Sequence, residues 1–141
     1  MTPFLVDSNI LLDIFEDDAQ WADWSEATLQ QYAASHTPTI NPIIYAEVSV
    51  GFARIEELEA VLSGCGIHLL AIPREALFLA GKAFLTYRRR GGTKNSLLPD
   101  FFIGAHAAVS GLSLMTRDAS RYQSYFPGVQ LITPDRKDAL G

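Results

Sequence analysis

The chain has 141 residues, 48% of them hydrophobic, and a net charge of −5, which is enough apolar material for one domain with a core and too little chain for two ordinary ones. No stretch approaches the roughly 20 uninterrupted apolar residues of a membrane span, Met1-Thr2-Pro3 lacks the basic start of a secretion signal, and the one cysteine, Cys65, closes no internal disulfide, so a soluble, cytoplasmic protein with a single domain over residues 1–141 is expected. The charge is uneven, with eight acids and no Lys or Arg in residues 1–53 and all eleven bases from Arg54 onward, leaving that later part at +3, so overall acidity does not exclude a nucleic-acid partner.

Phe4-Leu5-Val6 is a short apolar run ended by Asp7, and Ser8 or Asn9 is placed to cap a helix through Ile10, Leu11, Ile14 and Phe15. The segment from Ala19 to Ala34 has helical spacing at Trp21, Trp24, Ala27 and Leu29; its tryptophans and Phe15 fit a core or protein interface better than a base-stacking platform. Thr37 to Asn41 reads as a second strand, and Asn41-Pro42 as a helix start that puts Glu47 one to two turns inside. A helix over Glu56 to Leu62, a break at Gly64 to Gly66 and a strand over Ile67 to Leu70 follow. After Pro73 the spacing predicts a long helix to about Arg90 with Leu77, Ala80, Gly81 and Phe84 along its apolar stripe. Gly91 to Ser96 is the clearest loop. Pro99 opens a helix whose Gly104, Ala105, Ala107 and Ala108 allow close packing on a sheet. Leu112 to Met115 is a strand ended by Thr116-Arg117-Asp118, then come a short helix over Ser120 to Tyr125 and a last strand over Val129 to Ile132.

Short apolar strands separated by helices predict a three-layer α/β/α sandwich with a mostly parallel sheet of about five strands. Ligands of such sheets collect beyond the carboxyl ends of the strands. Asp7 and Asp118 follow strands directly, while Glu47 and Asp100 sit early in helices that start at the same edge. Four carboxylates gathered at the margin of a core repel one another, a requirement met by hard cations such as Mg2+ or Mn2+ and pointing towards phosphoryl chemistry. Each acid also has a plainer role as a first-turn or capping residue. His36, His68, His106 and Cys65 show no spacing of a zinc site.

Val6-Asp7-Ser8-Asn9, Ile44-Tyr45-Ala46-Glu47-Val48 with Gly51 after it, Pro99-Asp100-Phe101-Phe102-Ile103-Gly104-Ala105, and Thr116-Arg117-Asp118 leading into Tyr125-Phe126-Pro127 and Leu131-Ile132-Thr133-Pro134 occur in this order. Together they resemble the PIN-domain ribonucleases, and within them the VapC-type toxins of toxin–antitoxin pairs, over nearly the whole chain. His106 departs from the small or hydroxyl residue expected there. The resemblance implies a Mg2+- or Mn2+-dependent endoribonuclease with one or two ions. It carries the catalytic, metal-binding acids over as Asp7, Glu47, Asp100 and Asp118, with Asn9 and Thr116 as polar supports. It also implies a VapB-like antitoxin seated in a hydrophobic groove, for which the helices from Asp13 to Ala34 offer a wall, and a homodimer. Arg88, Arg89, Arg90 and Lys94, with Arg117 and Arg121 beside Asp118, are candidate contacts to the RNA backbone. Two other readings share part of the pattern: a PIN-like domain that binds RNA or a protein without cutting, and a phosphoacceptor receiver domain. The second would show adjacent acids after its first strand and a late lysine, and neither is present in Asp7-Ser8-Asn9 or Ile132-Thr133-Pro134.

Overall fold

The computed structural model describes residues 1–95 and 98–134; Ser96, the end of the predicted loop, lies outside them. Its elements are β1 (Pro3–Val6), α1 (Ser8–Phe15), α2 (Ala22–Ala33), β2 (Thr37–Ile40), α3 (Pro42–Ser49), α4 (Ile55–Gly64), β3 (His68–Leu69), α5 (Arg74–Arg89), α6 (Pro99–Ser110), β4 (Leu114–Met115), α7 (Ser120–Tyr125) and β5 (Leu131–Ile132). The five strands form one sheet in the order β3-β2-β1-β4-β5, and every neighbouring pair is parallel. The predicted sandwich is present: helices α1, α2 and α3 pack together, α5, α6 and α7 pack together, and α3 also meets α6. Among the described residues no helix is long and apolar enough to cross a membrane.

β1 is central and fully enclosed. Phe4, Leu5 and Val6 are buried because a parallel strand carries crossover helices on both faces and needs apolar side chains in both directions. The register pairs Leu5 with Leu114 and Val6 with Met115, and the Asp7 amide continues the ladder to the Met115 carbonyl at 2.9 Å. Asp7 and Thr116 therefore leave neighbouring strands at the same level. This level is where the chain order of strands reverses across the sheet, the place where ligands of such folds sit.

Three expectations are corrected. The strand over Ile67 to Leu70 is only His68–Leu69, and both residues are exposed because β3 is an edge. The fully buried residues of α5 are Ala76, Ala80 and Ala83, whereas Leu77 is 45% exposed; Phe84 and Tyr87, only partly buried, meet the Phe101 ring on α6. Ala108 is exposed, and the close approach on α6 belongs to Gly104, where an added Cβ would stand 2.3 Å from the Phe126 ring. His106, the departure from the expected pattern, is accommodated in the core. Asn41 caps α3 by accepting the Ile44 N–H at Oδ1 (3.0 Å), which leaves its amide nitrogen to donate to His106 Nδ1 at 3.2 Å. The His106 proton then resides on Nε2.

Candidate active site

The carboxyl edge of the sheet delivers the predicted acids from four elements. Asp7 leaves β1, Glu47 lies in α3, Asp100 is in the first turn of α6 and Asp118 is the third residue after β4. Asp7 is buried, Glu47 and Asp100 are partly buried, and Asp118 is exposed. Asp7 is itself the N-cap of α1, accepting the Ser8 N–H at 2.7 Å; Ser8 and Asn9, expected to cap, do other work.

Hydroxyl groups join three of the acids. Thr116 Oγ1 donates to Asp7 Oδ2 at 2.8 Å, and Tyr122 Oη stands 2.9 Å from the same oxygen and 3.3 Å from Asp100 Oδ1. One phenol proton thus serves both carboxylates. On the other side Ser8 Oγ donates to Glu47 Oε1 at 3.1 Å while its own amide holds Asp7. Asn9 braces the loop after β4: its amide nitrogen donates to Thr116 Oγ1 at 3.2 Å and its oxygen accepts the Arg117 N–H at 3.2 Å. The Asp118 N–H also donates to Thr116 Oγ1, at 3.1 Å. The Asp118 carboxylate is less engaged, accepting among the described residues only from Ser120 Oγ at 3.3 Å.

The electrostatics describe a site short of positive charge. Burial pushes the Asp7 carboxyl above its usual range, and hydrogen bonds from Thr116, Tyr122 and Ser8 only partly offset this. Glu47 is raised by burial and by the charges of Asp7 and Asp100. Asp100 is raised by burial and by Asp7, with Arg121 opposing. The Tyr122 hydroxyl is raised far out of its ordinary range by burial and by both aspartates, so it remains a donor. The donor set is all oxygen, which fits a hard cation. Among the described residues no three His, Cys, Asp or Glu side chains converge tightly enough to cage an ion unaided. An ion here would keep water ligands, as Mg2+ does.

The basic residues are placed differently from one another. Arg117 forks onto Asp13, with Nε at 2.6 Å from Oδ2 and Nη2 at 2.9 Å from Oδ1, and lies over the Trp21 ring. Asp13 is buried and also accepts from Ser25 Oγ at 2.9 Å. Arg88 donates to the carbonyls of Gly92 and Lys94, Arg90 lies over Tyr125, and Arg89 and Lys94 are exposed. Among the described Lys and Arg side chains, Arg121 is the one that turns to the acids, with Nη1 at 3.8 Å from Asp100 Oδ2. Sequence reasoning missed Ser8, Tyr122 and Asp13. Ser8 could have been found from its place beside Asp7; a tyrosine in a short helix gave no signal.

Away from this edge, a cleft of about 310 Å3 opens between α1, α2 and the end of α4, lined by Leu11, Ile14, Phe15, Leu29, Ala33 and Cys65 among others.

A family model for the PIN domain matches residues 4–125. The fold is similar to VapBC2 from Rickettsia felis bound to a DNA fragment from their promoter, at 19% identity and a TM-score of 0.74 over 95% of this chain and 100% of that one. It is similar to DNA-bound VapBC from Salmonella typhimurium, at 19% identity and a TM-score of 0.67 over 94% of this chain and 98% of that one. A toxin–antitoxin complex from Klebsiella pneumoniae gives 24% identity and a TM-score of 0.66, again over 94% of this chain and 98% of that one. A search of curated protein sequences returns no match.

Proposed function

The chain belongs to the PIN-domain family, and from that premise we propose that it is a Mg2+- or Mn2+-dependent endoribonuclease acting as the toxin of a VapBC-type pair. The observation that carries this reading is the joining of Asp7, Asp100 and Glu47, from β1, α6 and α3, through the hydroxyls of Tyr122 and Ser8. Asp7 and Asp100 would hold the metal, with Asp118 completing the donor set directly or through water. When bound, a divalent cation supplies polarisation of a phosphoryl oxygen and a more acidic water. Thr116 and Ser8 fix the Asp7 carboxylate, and Glu47, held by Ser8, is the group that orients the attacking water. Water adds across one P–O bond, leaving a phosphomonoester on one fragment and a hydroxyl on the other.

The likeness to toxin–antitoxin complexes supports a protein antitoxin as partner, and the apolar cleft beside α1 and α2 offers it a seat. Exposed Leu77 and Phe78 on α5 offer apolar surface for pairing of two copies. This reading places the activity in the cytoplasm. The test is cleavage of RNA by the purified, partner-free chain in Mn2+. We expect a metal-dependent rate that Asp7→Asn or Asp100→Asn lowers at least about 100-fold. Cleavage that persists in chelator, or in both variants, would overturn the hydrolase reading in favour of a contaminant or another mechanism. Binding of RNA without any cutting would favour the PIN domain as a binding module.

A further inference from the structure

Arg121 is, among the described residues, the one Lys or Arg side chain within ion-pair reach of the four acids, and its contact is loose, 3.8 Å from Nη1 to Asp100 Oδ2. Arg117 on Asp13 shows how this fold builds a structural pair: forked, with distances of 2.6 and 2.9 Å onto a buried carboxylate. The Arg121 pair is more open: the Asp100 side chain is 31% exposed, against 4% for Asp13. What fixes Arg121 is aromatic. Its guanidinium carbon lies 5.7 Å from the ring centroids of both Tyr87 on α5 and Phe101 on α6. α7 sets it one residue before Tyr122, whose hydroxyl touches Asp7 and Asp100. A planar cation is thus aimed at the acids by two rings, with its N–H donors largely unspent.

We propose that Arg121 contacts a non-bridging oxygen of the scissile phosphodiester, leaving its loose pair with Asp100 when the site fills; this rests on the ribonuclease reading. The chemistry favours the exchange. Asp100 assigned to a cation has less need of Arg121, whereas a phosphodiester entering a ring of carboxylates needs a donor that offsets its charge. A forked guanidinium matches phosphate oxygens in a way an ammonium does not. Three other bases near this end are engaged elsewhere: Arg117 is held by Asp13, Arg88 by loop carbonyls, and Arg90 lies over Tyr125.

The experiment compares wild type, Arg121→Ala, Arg121→Lys and Arg121→Met, the last keeping apolar contact with the rings should the alanine variant fail to fold. Cleavage of a fluorescently labelled mixed-sequence RNA in Mn2+ is expected to lose about 100-fold in kcat/KM with Ala or Met, with Lys recovering little of it. Millimolar guanidinium is expected to restore Arg121→Ala several-fold and to leave wild type unchanged, a rescue that a merely structural role would not allow. Calorimetric Mn2+ binding without RNA is expected to be tighter in Arg121→Met than in wild type, since a competing cation has gone. An alanine or methionine variant within twofold of wild type, absence of guanidinium rescue in folded Arg121→Ala, or weaker Mn2+ binding by Arg121→Met would overturn the assignment alone. A wild-type chain that binds Mn2+ and cuts no RNA would overturn the ribonuclease reading and the assignment with it.

Discussion

Asp7 is the N-cap of α1 and also the most buried of the four acids, two roles that compete as explanations when only Val6-Asp7-Ser8 is in view. In the fold they coincide: Oδ1 takes the Ser8 amide and Oδ2 takes Thr116 and Tyr122. The acids themselves were legible because carboxylates among apolar residues are unusual. Tyr122 was not, since its hydroxyl matters only once α7 has folded back over β1. His106 shows the same limit, reading as a misfit until Asn41 supplies its partner. Burial lowers the His106 pKa from its ordinary 6.5, so the folded state resists the proton that the unfolded chain accepts. Its contribution is complete above about pH 6.5 and is lost as pH falls below that value. The raised acids Asp7, Glu47 and Asp100 act in the opposite sense, and comparison with a variant separates the two. Between pH 7 and pH 5, wild type should lose unfolding free energy relative to His106→Gln, which keeps an acceptor for Asn41. Parallel stability curves for the two proteins would refute this.

At the scale of elements, helices and strands were readable from apolar spacing and from Asn41-Pro42 and Pro99, but which face of a helix goes inward was less so. On α5 the sequence put Leu77 in the stripe, yet the helix turns Ala76, Ala80 and Ala83 inward and leaves Phe78 70% exposed. Hydropathy ranks leucine above alanine, whereas the α5 positions that end fully buried take alanine, with Phe84 and Tyr87 of α5 meeting Phe101 of α6. Gly104 makes the same point from the other side of α6. The Phe126 ring, at the end of α7, fills the space a side chain would occupy. Gly104→Ala should therefore destabilise the protein by about 1–3 kcal/mol. It should also lower RNA cleavage beyond the loss of folded protein, because α7 carries Tyr122 and Arg121. A melting temperature equal to wild type would show that Phe126 yields freely.

Over the whole molecule, folding brings together acids that the unfolded chain keeps far apart, and without a counter-ion this opposes folding. Removing one of them should relieve it. In excess chelator at neutral pH, Asp100→Asn is expected to melt higher than wild type by a few degrees, on the order of 1 kcal/mol. Adding Mn2+ at about 100 times its dissociation constant should stabilise wild type by about 2.7 kcal/mol, and the variant by much less. A variant that melts lower in chelator, or that gains as much from Mn2+, would contradict a repulsive cluster at that position.

The position of β1 between β2 and β4 has a bearing on synthesis. The first strand to emerge from the ribosome waits long for its second neighbour, since β4 begins only at Leu114 and the loop bearing Asp118 comes later still. Until more than four-fifths of the polypeptide has been made, Asp7 has neither Thr116 nor Tyr122 to hold it. A nascent or prematurely terminated product ending before that point would hold the early acids and none of the groups that order them.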